Sequence, residues 1–444
     1  MKTSVSDRTA SSAAAGPAAA APAAALATDR PRADAARWPD VAHGPRGSAT
    51  RTAVTRLLVQ RALAALPLRT ALGDAPVTGD EGPLVRVHDP EAFFRRIGTD
   101  GLIGFGESYM AGEWEADDLV GALTVLASHL TSLVPRPLQR LRGAWARRRP
   151  SGQRNTLEGA RQNIHRHYDL SNDLFALFLD GTMTYSSAVF RKRPVVWSDL
   201  ADAQHRKIDR LLDLAGVGDG TRLLEIGTGW GELALRAAAR GARVVSVTLS
   251  QEQRDLATSR IAQAGHADRV SVELCDYRQV TGRYDAVVSV EMIEAVGADY
   301  WPVYFDTLER LLLPRGRIAL QAITMPHARM LATRTTYTWI HKYIFPGGLI
   351  PSVEAIAQHT AAAGLRMREN DGYGGHYAET LRLWRERFTQ RSAEVDALGF
   401  DAVFRRMWEF YLAYSEAGFR AGYLDVRQLL LTRATTTARD GGLR

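Results

Sequence analysis

Cysteine is almost missing from this chain: Cys275 is the single thiol in 444 residues. A lone thiol cannot pair internally, which excludes a disulfide scaffold and a Cys-rich zinc site and fits a reducing compartment. Long apolar runs are missing too. A membrane-spanning helix needs about 18 consecutive apolar residues. The nearest approach, Ala13 to Ala27, is weakly apolar and interrupted by Pro17 and Pro22. That stretch also lacks the strongly apolar centre of a signal peptide, and Asp7 and Arg8 precede it. The expected location is the cytoplasm, with any membrane touched from one side. Neither charge sign dominates: 56 Lys and Arg against 49 Asp and Glu leave a formal +7. With 45% apolar and 24% charged residues, the composition is that of a soluble globular protein. It excludes a collagen-like, wholly disordered or multi-pass membrane chain. At roughly 150 residues per domain, the length predicts two to three domains.

Residues 1–50 are rich in Ala, Pro, Ser, Arg and Gly and poor in large apolar groups, so a disordered tail is expected there. From Thr52, the spacing of Val54, Leu57, Leu58, Leu63 and Leu66 predicts an amphipathic helix. A small α+β domain is expected over 51–135. It holds a short strand at Leu84–Val87, a Gly-rich run from Gly98 to Gly106 whose glycines read as turn residues, and a helix from Leu119 to Leu130. Residues 136–166 carry nine arginines, among them Arg147, Arg148 and Arg149, against one acidic residue, Glu158. Three readings of this basic linker, set at 136–160, stand side by side. It is a solvated connection, a nucleic-acid contact, or a contact for anionic phospholipid headgroups worth on the order of 1 kcal/mol per near-surface Arg.

From Leu200 onward, apolar strand runs alternate with helical patterns. The runs are Arg222–Ile226, Arg243–Leu249, Val270–Leu274, Ala286–Val290 and Arg317–Ile323; the helices are Glu232–Arg240, Gln251–Ala264 and Tyr300–Leu313. The alternation predicts an α/β fold with a largely parallel, doubly wound, Rossmann-like sheet. The helical pattern beyond Trp339 predicts a cap over the strands' carboxyl ends. The first strand leads into Gly227-Thr228-Gly229-Trp230-Gly231 and then a helix. Glycines there let a ligand lie against bare backbone, at the strand end where such sheets bind ligands. The spacing is not the Gly-x-Gly-x-x-Gly of dinucleotide folds. Polar groups at the next two strand ends, Thr248 to Gln253 and Cys275-Asp276-Tyr277, can hold a ribose and an adenine amine. Together the three strand ends favour S-adenosylmethionine over NAD. Thr248 and Ser250 are alternatively caps of the following helix, and Cys275 reads as a small buried filler.

Longer blocks resemble the cyclopropane-fatty-acyl-phospholipid synthase family, which includes the mycolic acid cyclopropane synthases. They are NIHRHYDLSNDLF from Asn163 to Phe175, MTYSSA from Met183 to Ala188, the glycine block, VEMIEAVG from Val290 to Gly297, and YIFPGG from Tyr343 to Gly348. The resemblance extends over residues 83–434. Gly104–Tyr109 and Gly112–Trp114 are similar to the accessory domain of the longer bacterial members. The resemblance implies a class I S-adenosylmethionine-dependent methyltransferase domain with a helical cap over 161–436, preceded by a lipid-binding-like accessory domain. It implies methyl or methylene transfer to the double bond of unsaturated phospholipid acyl chains, giving cyclopropane fatty acids. An alkene is a poor nucleophile, so the methyl must be held in line with it. Water must be kept from the resulting cation, aromatic faces can steady it, and a base must stand close by.

By position, the resemblance implies cofactor contacts at Tyr185, Ser186, Gly227, Gly229, Thr248, Gln253 and Tyr277. It also implies a bicarbonate ion that acts as the base, held by Ser187, Glu294, Gln321, Tyr377 and the backbone of Ile323. Ser187 stands where well-known members carry cysteine, Gln321 where they carry histidine, and Ala295 where histidine is frequent. Gln321 can donate a hydrogen bond but cannot carry charge or shuttle a proton. These departures leave two fates for the cation. One is ring closure. The other is a hydride shift and proton loss to a methylene-branched chain, which a separate reductase would saturate. Bland readings exist for the same residues: Glu294 as a solvated cap, Tyr377 as cap core, His167 and Tyr168 as packing rather than cofactor or acyl entrance, and Tyr343 and Phe345 as acyl-tunnel wall. Two rival functions are a lipid-binding protein on a dead methyltransferase scaffold and a methyltransferase for a small soluble acceptor. The expected partner is unsaturated membrane phospholipid, met peripherally through the Arg136–Arg166 segment. No nucleic acid and no metal are expected, and a homodimer is compatible with this reading.

Overall fold

A computed structural model describes residues 30–129, 150, 155–160 and 171–434. The described residues from Pro31 onward form one compact unit. A small sheet comes first: β1 (Arg69–Leu72) pairs parallel with β2 (Leu84–Val87), which pairs antiparallel with β3 (Trp114–Ala116). The large sheet follows, with β4 (Arg222–Ile226), β5 (Arg243–Thr248), β6 (Val270–Leu274), β7 (Tyr284–Val290), β8 (Leu312–Thr324), β9 (Leu365–Gly372) and β10 (Asp425–Arg433). Its order is β6-β5-β4-β7-β8-β10-β9. The pairs β4–β5, β5–β6, β4–β7 and β7–β8 are parallel, and β10 runs antiparallel to both neighbours. The winding reverses at β4, and in such sheets the crevice for a ligand opens at the carboxyl ends beside that reversal.

The apolar strand runs exist because both faces are covered. Side chains alternate across the sheet. Leu223, Ala286, Val288, Ala319 and Leu430 join Ile208, Leu211, Leu233, Ala234 and Ile261 on one face. Leu224, Val287, Ile318, Leu320, Leu429 and Leu431 join Tyr304, Phe305, Leu308 and Ile356 on the other. The five expected strands form with shifts of a few residues at their ends. Two strands inside the expected cap region were not foreseen. β9 reads Leu-Arg-Met-Arg-Glu-Asn-Asp-Gly and lies at the sheet edge, so it carries little apolar signal. The run Leu429–Leu431 in β10 is too short to tell strand from helix by period. Between them, Gly374–Gln390 and Ala402–Arg420 are the cap helices.

Three other expectations change. Order begins well before residue 50: helices Pro39–His43 and Ala49–Ala64 form, and Val41 is buried. Arg96 donates to the carbonyls of Asp40 and Val41 at 2.7 and 2.6 Å, which fixes this segment to the fold. Residues 1–29 lie outside the described residues. The expected amphipathic helix forms as Ala49–Ala64 but buries none of its residues, and Leu57 is 70% exposed. The Gly98–Gly106 run is not a series of turns. Only Gly101, at φ 58°, separates helices Pro90–Asp100 and Leu102–Met110. Gly104 and Gly106 instead allow close packing, since a Cβ would stand 2.1 Å from the Arg96 carbonyl oxygen and 2.4 Å from the Trp339 ring. Residues of the expected accessory domain also pack against the expected catalytic domain. Tyr109 and Trp339 lie 5.2 and 4.9 Å from the Phe410 ring, and Lys342 pairs with both Asp40 and Glu107. The basic stretch, including Arg147–Arg149, falls almost wholly outside the described residues, as do His165, His167 and Tyr168.

Candidate active site

All seven residues expected to touch the cofactor line one cleft at the carboxyl ends of β4–β7: Tyr185, Ser186, Gly227, Gly229, Thr248, Gln253 and Tyr277. The cleft encloses about 990 Å³ of space, counting the part open to solvent. Its floor is backbone. Gly227, Gly229 and Gly231 take φ of 96°, 52° and 89°, a left-handed region that side chains disfavour. A Cβ on Gly229 would meet nothing within 4 Å, so its backbone lies bare to the cleft. Thr248 Oγ1 donates to Gln253 Oε1 at 2.9 Å, holding both side chains at the β5 end. Ser250 is indeed the cap, accepting from the Gln253 N–H at 3.2 Å, while Thr248 faces the cleft. Cys275 also faces the cleft and is half-buried, packed against the core on its other side.

Charged groups missed in the sequence stand under this floor. Lys207, on helix Leu200–Ala215, is 1% exposed and donates to Ser186 Oγ at 2.6 Å. Burial pulls its pKa down to about 8, against the pull of Glu291, Asp180 and Glu225. Glu225 is pushed up to about 8 by burial, with Ser246 donating to it at 2.5 Å. Glycine backbone, polar strand ends, aromatic Tyr277 and Trp230, and carboxylates facing inward together suit a ligand with an adenosyl group and a sulfonium cation.

Beside the cleft, the five residues expected around an anion come together with two more. Glu291 directly follows β7 and lines the cleft. Its Oε1 accepts from the Ser187 N–H at 2.9 Å and from Gln321 Nε2 at 2.8 Å; its Oε2 accepts from the Tyr377 hydroxyl at 2.7 Å. The Gln321 amide is oriented by Gln428, whose Nε2 donates to Gln321 Oε1 at 2.9 Å. Glu294 Oε1 accepts from the Ile323 N–H, while its Oε2 has no hydrogen-bond partner among the described residues. Loss of water raises the pKa of both glutamates. For Glu291 this is opposed by the Ser187, Tyr377 and Gln321 donors and by Lys207. Glu294 is pushed to about 8 by burial and then by the neighbouring Glu291 charge. With three donors against the single one of Glu294, Glu291 is the better placed of the two to hold a negative charge, and Glu294 is the neutral acid near pH 7. Burial and the Glu291 charge hold the Tyr377 phenol far above its usual range, so it stays a donor. Tyr377 is thus not mere cap packing. Tyr343 donates to Glu107 at 2.8 Å, whereas Phe345 lies 5.7 Å from Tyr411, whose hydroxyl shares a 2.6 Å hydrogen bond with Tyr185 of the cleft.

A seven-stranded sheet of this order, with one antiparallel strand, a glycine turn after β4 and a cap, defines a class I S-adenosylmethionine-dependent methyltransferase. Residues 155–429 match the family model for mycolic acid cyclopropane synthetase. The chain belongs to that family. It is 58% identical over 413 residues to the tuberculostearic acid methyltransferase UfaA1 of Mycobacterium tuberculosis, spanning 90% of this chain and 96% of the relative. It is 34% identical over 373 residues to the cyclopropane-fatty-acyl-phospholipid synthase of Escherichia coli K12, spanning 83% and 91%. A crystal structure of the mycolic acid cyclopropane synthase CmaA1 complexed with SAH and CTAB matches with a TM-score of 0.57 at 31% identity, over 64% of this chain and 99% of that one. The protein is an enzyme that uses S-adenosylmethionine to transfer a methyl or methylene group.

Proposed function

We propose that this enzyme methylates the double bond of unsaturated phospholipid acyl chains, giving a methylene-branched chain that a separate reductase saturates. The observation that carries the reading is Glu291, a carboxylate that lines the cofactor cleft and is held by three donors. Methyl transfer to an alkene needs such an acceptor, because the acyl cation must lose a proton to become a stable product. The branched outcome draws support from the 58% identity to a relative named as a methyltransferase, against 34% to one named as a cyclopropane synthase.

S-adenosylmethionine, when bound, supplies a sulfonium methyl to the alkene π pair, sulfur keeping the electrons of the broken S–C bond. Gly227 and Gly229 offer it backbone, Thr248 and Gln253 polar contacts, and Tyr277 a ring face. Around the carboxylates, Tyr377 packs on Phe419 at 4.6 Å, and Trp384 lies 5.2 Å from Tyr185 and 6.3 Å from Tyr377. These rings keep water out and turn π faces toward a positive acyl carbon. The substrate lies in a bilayer. No helix of the described residues is long and apolar enough to cross one, and the exposed Val54, Leu57 and Leu58 support a peripheral contact.

The test is incubation with methyl-labelled S-adenosylmethionine and dioleoyl phospholipid vesicles. Label is expected in the acyl chain, with vinylidene protons in the product spectrum. Upfield cyclopropyl protons would assign ring closure instead, and label confined to water-soluble acceptors would overturn the lipid reading.

A further inference from the structure

The residues present do not fit a bicarbonate ion. Three of its five expected contacts, the Ser187 N–H, Gln321 and Tyr377, already donate to Glu291. The fourth, the Ile323 N–H, donates to the fifth, Glu294. The Ser187 hydroxyl is turned to the Ala188 carbonyl at 3.2 Å, so among the described residues every donor of that set is already engaged. A second negative charge would also stand beside the Glu291 carboxylate in a low-dielectric pocket, where like charges repel strongly.

We infer that the Glu291 carboxylate takes the place of bicarbonate and is this enzyme's built-in proton acceptor. The inference rests on the proposed reaction at an acyl double bond. Its geometry is specific. Glu291 adopts φ 52°, a conformation that costs a non-glycine residue energy and tends to persist where function requires it. Its N–H donates to the Gln321 carbonyl at 2.7 Å, so the same strand residue anchors both its backbone and its carboxylate. Among the described residues Oε2 accepts only from Tyr377, which leaves it a lone pair for a proton. A resident carboxylate also explains a neutral amide at 321, since Gln321 needs only to donate. Lys207 is the buried cation whose field favours the charged form, while loss of water makes the carboxylate a stronger base than a solvated one.

The step balances without another reactant. Methyl addition leaves the cation on the alkene carbon next to the methylated one. A hydride moves to it from the methylated carbon, and the cation moves back. Glu291 then takes a proton from the new methyl, and that C–H pair becomes the C=CH2 double bond of the methylene branch. The neutral carboxyl returns its proton to solvent after product leaves.

Glu291→Gly removes the carboxylate, suits the left-handed backbone and opens the space for an anion. In buffers freed of carbon dioxide, titration calorimetry with sodium bicarbonate is expected to show no binding to wild type and saturable binding to Glu291→Gly. Transfer to vesicles of dioleoyl phosphatidylethanolamine and phosphatidylglycerol is expected to ignore bicarbonate in wild type. Glu291→Gly and Glu291→Gln are each expected to lose about 10²–10⁴-fold in turnover. Added bicarbonate should restore part of the rate to Glu291→Gly only, because glutamine still fills the space. Bicarbonate binding to or stimulating wild type would overturn the inference, as would no binding to the folded glycine variant or a wild-type rate in Glu291→Gln. If the glycine variant fails to fold, the isosteric glutamine variant and the wild-type titration still decide. Wild type that methylates none of these lipids would count against the proposed function, while the titrations would still report who occupies the anion position.

Discussion

The cofactor cleft takes most of its wall from residues 227–277, three successive strand–helix turns. The carboxylate cluster beside it gathers Ser187, Glu291, Glu294, Gln321, Tyr377 and Gln428 from separate segments of the chain. The first half is made by backbone: left-handed glycines and strand ends that any ligand-binding turn of this kind needs. The second is made by side chains that satisfy one another across the fold, each costly to leave unpaired once buried. Two different sensitivities follow. The cleft should be broken by adding a Cβ, and the cluster by changing charge or donor pattern at constant shape.

The sharpest test of that contrast is Glu291→Gln. Its turnover is expected to fall about 10²–10⁴-fold, with S-adenosylmethionine affinity by calorimetry nearly unchanged; parallel loss of affinity would erase the distinction between the halves. Gly227→Ala is the mirror experiment. At φ 96° its Cβ would stand 2.7 Å from Met292 Cγ, a side chain that also lines the cleft. Strain of about 1–3 kcal/mol should weaken cofactor binding about 5–150-fold, with turnover at saturation less affected.

The pH profile sharpens the cluster further. Turnover at saturating substrates should fall about tenfold per pH unit on the acid side, as Glu291 takes up its proton. Lys207, Glu294 and the Tyr377 hydroxyl surround that carboxylate electrostatically. Because the ammonium favours the charged carboxylate, Lys207→Met should move the acid limb to higher pH; an unmoved limb would remove Glu291 as its origin. The smallest effect is expected from Glu294→Gln. With its pKa near 8, Glu294 is already neutral at pH 7, and glutamine keeps an oxygen for the Ile323 N–H. Loss under about tenfold is expected, and a loss as large as that of Glu291→Gln would return the base role to Glu294.

The cleft was legible because its residues announce themselves locally: an apolar run, a glycine turn and a helix cap are all neighbours in sequence. Lys207 had a signal that was passed over, since it shares a helical stripe with Leu200, Ala203 and Leu211, all buried. Glu291 had none. Glu291 and Glu294 are three residues apart in one block, and only a positive φ and the approach of Ser187, Gln321 and Tyr377 decide that Glu291 takes the donors. The same holds for Gly104 and Gly106, whose role depends on Arg96 and Trp339 being there. Periodicity and turn chemistry determined the layered sheet and its cofactor crevice, because burial pattern and turn geometry are properties of adjacent residues, and the motif blocks carried the resemblance to the family. Which carboxylate carries the charge was decided by tertiary structure alone, because pKa values and hydrogen-bond satisfaction depend on groups that meet only when distant segments pack together.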